Sequence, residues 1–157
     1  MSYFDNAATT YPKPDAVYSF MDSFYRNHGG SVGRGGYALA TTAKGLVDET
    51  RKLIQELMHC HAKQVIFTPT ATIALNMIIQ GAIVSGARSV YISPFEHNAV
   101  TRVLHHFEQL GQITVTELTV SESLEYDMVR IRYQFDAIRP DLVIVSHASN
   151  VIGLVAP

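Results

Sequence analysis

The sequence predicts an α/β fold of three layers, αβα, with helices on both faces of a mostly parallel sheet. Two observations carry this expectation. Short apolar runs alternate along the chain with longer segments of helical period, joined by short connections that suit right-handed crossovers. The runs at 65–67, 90–92 and 142–145 are also continuously apolar rather than alternating. Strands of that kind are buried on both faces.

Each element follows from its local pattern. Behind the turn at Pro12 and Pro14, residues 15–27 place Val17, Phe20, Met21, Phe24 and Tyr25 on a helical stripe. Residues 28–36 hold five glycines in nine positions and read as loop. Residues 37–59 form a long helix whose expected core face is Val47, Leu53, Ile54, Leu57 and Met58. The remainder alternates: strand 64–68, helix 71–84, strand 89–93, helix 98–110, strand 113–118, helix 127–138 and strand 142–147.

Composition narrows the function classes. A chain of 157 residues suits one domain and buries a real core. With 47% hydrophobic and 17% charged residues and a net charge of −2, it offers no field for nucleic acid or an anionic membrane. Its one cysteine, Cys60, forms no intrachain disulfide and suits a reducing compartment. No apolar run is long enough to span a membrane and no signal-like segment opens the chain, so the expected location is cytoplasmic. His59 and His61 flank Cys60, but alternate residues of a helix diverge, and no metal site is expected.

Ligands of open parallel sheets gather at the carboxyl ends of the strands. Three such ends are chemically loaded here: Thr68 to Thr72, Ser93 to Asn98, and Ser146 to Asn150. At the first, Ala71 and Thr72 open a helix, where free N–H groups and a small side chain admit an anion. Thr70 or Thr72 serving only as a helix cap is the plain alternative. At the second, His97 can stack on a flat ring or exchange protons, or be an ordinary loop histidine. Glu96 reads as a first-turn acid. At the third, Asn150 can offer its carboxamide to a ligand oxygen or form a turn with Gly153. The glycines at 29–36 follow a helix rather than a strand, which disfavours a dinucleotide-binding domain.

Five segments stand in an order and spacing that resemble one family: "FDNAATTYPKP" (4–14), "GRGGYALA" (33–40), "TPTATIALN" (68–76), "EHNAV" (96–100) and "VSHASNVIG" (145–153). Together they resemble the N-terminal part of the class V aminotransferases, the group that contains cysteine desulfurases and selenocysteine lyases. The resemblance implies the large domain of a fold type I pyridoxal 5′-phosphate enzyme. It assigns Ala71 and Thr72 to the cofactor phosphate, His97 to the pyridine ring and Asn150 to the cofactor's phenolic oxygen. It places Asn6, Ala7 and Ala8 at the substrate entrance and Arg34 near the active site or dimer contact. It also implies an amino-acid substrate, a sulfur-acceptor protein as partner, and a homodimer.

The resemblance is incomplete in its chemistry. The family's Schiff-base lysine and the carboxylate opposite the pyridinium nitrogen belong to motifs that this sequence does not contain. Lys13, Lys44, Lys52 and Lys63 match none of them, and Cys60 does not match the mobile sulfur-accepting cysteine. The stretch "NVIGLVAP" resembles the turn into the family's next helix, so the expectation is a partial large domain over 1–157, inactive alone. A transaminase or racemase-like activity falls within the same class. The alternative is a non-catalytic fragment or partner chain that keeps the fold without the cofactor.

Overall fold

The computed structural model describes residues 2–33 and 35–156. The chain divides into two compact units, Met1–Phe67 and Thr68–Pro157.

The first unit contains α1 (Asp15–His28) and α2 (Ala38–Leu57). Asp15 in the first turn of α1 and Arg26 and His28 in its last complement the helix dipole. The helical stripe of α1 forms as expected, yet no residue of it is buried, and Phe20 and Phe24 stack on each other at 6.0 Å. The expected core face of α2 needs correction. Leu53, Leu57 and Met58 are exposed, and the buried residues are Ala40 and Ala43. With half-buried Val47, Thr50 and Ile54 they form a stripe of helical period that lies to one side of the larger leucines. Methyl side chains allow closer approach than leucine does, so the packed face is the small one. The helix closes in a Schellman motif, in which the Cys60 N–H donates to Gln55 O (2.9 Å) and His59 takes a left-handed φ of 50°.

The expected strand at 64–68 is also corrected. Its backbone enters no ladder, because no strand lies beside it among the described residues. Side chains of α2 hold it instead: Arg51 Nε donates to Val65 O (3.2 Å), and Gln55 Nε2 donates to Lys63 O just before the stretch.

The second unit is a three-layer sandwich. Its elements are α3 (Ala71–Val84), β1 (Ser89–Ile92), α4 (Asn98–Gln109), β2 (Thr114–Glu117), α5 (Met128–Ala137) and β3 (Leu142–Ile144). The strands form a parallel sheet of order β2-β1-β3, with Val90 opposite Val115 on one side and Leu142 on the other. Successive β1 residues face opposite layers, as strand geometry requires. Val90 and Ile92 pack with Ile79 and Ile83 of α3 and Val100, Val103 and Leu104 of α4. Tyr91 points the other way, into Leu118 and Ile131, with Phe135 edge-on at 5.0 Å. This is the predicted α/β arrangement.

Polar ties lock the layers. The Tyr91 hydroxyl lies 2.9 Å from Gln134 O and 3.0 Å from Ile138 O, at the carboxyl end of α5. Gln134 spends its amide on β2, donating to Glu117 O (2.9 Å) and accepting from Thr119 N (3.2 Å). The helices α3 and α4 end in Schellman motifs at Gly86 (φ 111°) and Gly111 (φ 66°), a conformation that only glycine adopts without cost.

At the amino edge of the sheet, Asp141 Oδ2 accepts from Arg88 N (2.8 Å) and Ser89 N (2.9 Å), which joins the start of β3 to the start of β1. The Ser89 and Arg88 N–H groups hold the Asp141 carboxyl below its usual value of 3.8, and the charges of Arg88 and Arg139 act in the same direction. A carboxyl lowered on folding stabilises the native state fully above its unfolded pKa, and that stabilisation is lost as pH falls through the lower folded value. Asp141→Ala is therefore expected to melt at a lower temperature than wild type at pH 7, with the gap closing as pH drops below 3.8. Thermal melts of both proteins across that range check it, and a gap independent of pH would refute it.

Candidate functional site

The start of α3, the start of α4 and the turn after β3 lie at the carboxyl edge of the sheet in the second unit. At the start of α3, Thr70 is the cap: its Oγ1 accepts from Ile73 N (3.2 Å) and its carbonyl accepts from Ala74 N (3.1 Å). Thr68 Oγ1 donates to the same carbonyl (2.9 Å). Capping thus falls to Thr70 and not to Thr72. Among the described residues, the N–H groups of Ala71 and Thr72 and the Thr72 hydroxyl find no partner, and both residues are exposed. A helix start with two free N–H groups and a free hydroxyl is a donor set for an anion.

His97 is the cap of α4. Its Nδ1 accepts from Ala99 N (3.0 Å), so the ring proton sits on Nε2. The imidazole is exposed, with one nitrogen committed to the helix and its Nε2–H left outward.

Thr72 and His97 line one cleft of about 350 Å³ together with Asn76, Asn98, Ala99, Arg102 and Val103. The structure thus brings together the first two loaded ends. No carboxylate is among the lining residues, and neither is any of the four lysines. Arg102 and Asn76 escaped the sequence reading. Their signal was helical spacing, since Asn76 lies four residues after Thr72 and Arg102 four after Asn98, each on the same helix face. A second groove of about 330 Å³ shares Asn76, Arg102 and Val103 and continues to Gln80 and His106.

Asn150 does not line that cleft. It stands at the tip of the turn after β3, where Ser149 Oγ accepts from Val151 N (3.3 Å) and Ile152 N (3.4 Å) and the Gly153 N–H donates to Ser149 O (3.0 Å). Gly153 takes φ 69°, as a tight return requires. The Asn150 side chain is exposed and makes no hydrogen bond among the described residues. Asn6, Ala7 and Ala8 belong to the first unit, in a loop closed on itself: Asn6 Oδ1 accepts from Tyr11 N (3.2 Å) and Asp5 O from Ala8 N (3.1 Å). All three are exposed. Arg34 lies outside the described residues. Among the described residues no group of three or more His, Cys, Asp or Glu is arranged to hold a metal, and no helix is long and apolar enough to cross a membrane.

The family described as Aminotransferase class-V matches residues 2–157. The chain belongs to that family. The cysteine desulfurase IscS of Anaeromyxobacter sp. (strain Fw109-5) is 30% identical over 99% of this chain and 38% of its own length. The apo structure of a cysteine desulfurase from Thermococcus onnurineus NA1 superposes with a TM-score of 0.86 at 23% identity, over 98% of this chain and 38% of that one. The structure of SspA in complex with cysteine gives 0.83 at 24% identity, over 100% of this chain and 45% of that one. These structural likenesses establish the shared fold. The chain spans 29% to 39% of the length of the first curated relatives it matches.

The division of labour between the two threonines is testable by denaturant unfolding. Thr70→Ala removes the cap and is expected to cost about 1 kcal/mol. Thr72→Val removes an unpaired hydroxyl while keeping the branched shape, and is expected to stay within about 0.5 kcal/mol of wild type. Equal losses would show that Thr72 shares the capping.

Proposed function

We propose that this class V chain carries the phosphate and ring-binding face of a pyridoxal 5′-phosphate-dependent cysteine desulfurase. The observation that supports this most is the shared cleft. Thr72 and Arg102 line a space with no carboxylate among its lining residues, His97 stands at its side, and the free N–H groups of Thr72 and its neighbour Ala71 open the same helix. That donor set suits a phosphate dianion. Class V membership points the same way, and the similar proteins include ones named cysteine desulfurases. One structural neighbour holds cysteine, which favours cysteine as the amino-acid substrate.

In this reading, Ala71, Thr72 and Arg102 hold the phosphate and His97 lends its ring face and its Nε2–H. Asn150 serves the phenolic oxygen, while Asn6, Ala7, Ala8 and Arg34 border the substrate; these assignments rest on their family motifs. When bound, the cofactor supplies an electron sink for bond changes in the amino acid. The reading extends to a homodimer, a sulfur-acceptor protein as partner and a cytoplasmic location.

A second reading, binding without catalysis, draws on the lysines. Lys13, Lys44, Lys52 and Lys63 match no motif of the family's Schiff-base lysine, so the sequence offers no matched amine for covalent attachment. The 157-residue chain by itself is therefore expected to bind pyridoxal phosphate reversibly and to release no sulfide from cysteine above a free-cofactor control.

Titration of the chain with pyridoxal phosphate and with pyridoxal, which lacks the phosphate, tests the site. Wild type is expected to prefer the phosphorylated form, and Thr72→Val to weaken its binding roughly 10- to 100-fold through loss of one charge-assisted hydrogen bond. In a longer protein that joins these residues to a cofactor lysine, His97→Ala is expected to lower turnover by about 10² at saturating cofactor. Equal affinity for the two ligands, or a Thr72→Val protein that binds like wild type, would overturn the reading.

A further inference from the structure

Glu96 is not a simple first-turn acid. It lies before the cap of α4, half-buried, and its carboxylate gathers three donors. Ser93 Oγ and Ser146 N donate to Oε1, each at 2.5 Å, and Ser146 Oγ donates to Oε2 at 2.8 Å. Ser146 is fifty positions away in sequence.

The place of this contact explains its use. The β1–β3 ladder ends at Ile92 and Ile144, and Ser93 N makes the last backbone bond, to Ile144 O (3.0 Å). Past that point the two chains leave the sheet, one toward His97 and the other toward Asn150. The Glu96 carboxylate supplies the next rung with a side chain. Ser93, 1% exposed, completes the turn by accepting from Phe95 N (3.3 Å) while it donates to Glu96. His97 follows directly, and its ring is held at the far side by Ala99 N.

We propose that Glu96 is the positioning residue of the site: by clasping the carboxyl ends of β1 and β3 it sets the backbone from which the His97 ring enters the cleft beside Thr72. The consequence for cofactor rests on the proposed function; the effect on the ring does not. Reach and hydrogen bonding matter more than charge in this design. A carboxamide oxygen can take both donors of Oε1, and its NH₂ can donate to Ser146 Oγ, which is able to accept. Aspartate keeps the charge but is one methylene too short.

The ring nitrogens of His97, followed by ¹⁵N-resolved NMR of the full 157-residue chain, report the result without cofactor. Wild type and Glu96→Gln are expected to show the single Nε2–H tautomer, while Glu96→Ala and Glu96→Asp show the mixed tautomers of a released ring. Far-UV circular dichroism confirms the fold of each variant. Ser146→Ala, which removes one donor and keeps Ser146 N, is expected to fall between them and serves should Glu96→Ala not fold. Pyridoxal phosphate should bind about tenfold more weakly to Glu96→Ala and near wild type to Glu96→Gln. A wild-type tautomer in folded Glu96→Ala and Ser146→Ala would overturn the proposal, as would an aspartate variant that matches wild type while glutamine fails. Loss of the cofactor response in wild type alone would instead count against the proposed function, with the tautomer still judging Glu96.

Discussion

The second unit depends on β1 being hydrogen-bonded in parallel along both edges. A strand in that position has no solvent side, so Val90 and Ile92 are committed to one helical layer and Tyr91 to the other. Parallel pairing requires each connection to cross back over the sheet, which places α4 between β1 and β2 and α5 between β2 and β3 in the chain. The same requirement sends the end of every strand to one edge. The chemistry of the candidate site follows from that edge, since α4 begins where β1 stops and the turn bearing Asn150 begins where β3 stops.

Much of this was legible in the residues. The continuous apolar run at 90–92 read correctly because a strand buried on both faces has no polar phase to conceal. The run at 142–145 pairs as a strand but leaves Val143 and Val145 exposed, against the expectation of burial on both faces. The run at 65–67 has the same composition and forms no ladder, since pairing depends on a neighbour that a local pattern cannot reveal. The face of α2 was misread for a related reason. Leu53 and Leu57 carry the strongest hydrophobic signal, whereas Ala40 and Ala43 carry the packing, and methyl groups weigh little in a periodicity.

The site was legible in its residue types but not in its wiring. Thr72 and His97 could be singled out because both stand where a strand end was expected to hand over to a helix, in segments that resemble family motifs, and they do share a cleft. Which threonine caps α3 could not be read from Thr-Ala-Thr, because both suit the task until the backbone turns. Glu96 was undervalued because its partners include a serine fifty residues away. Arg102 went unnoticed because its one signal, the four-residue spacing from Asn98, is shared by many exposed helix residues until the opposite wall is known. Asn150 remains apart from that cleft, and its tip is shaped chiefly by Ser149 and Gly153.

The crossover connectivity also gives the unit an electrical direction. Because each helix runs back against the strands, α3, α4 and α5 all start at the carboxyl edge and all finish at the other. Each start carries about half a positive charge from its aligned peptide groups, and each finish about half a negative one. Three parallel dipoles therefore point their positive ends at one rim, where the carboxylates of Glu96 and Asp127 offset part of that charge at the starts of α4 and α5. The start of α3 has no such carboxylate in its cleft, so an anion there meets an uncompensated helix end, a local setting that a total charge of −2 does not describe.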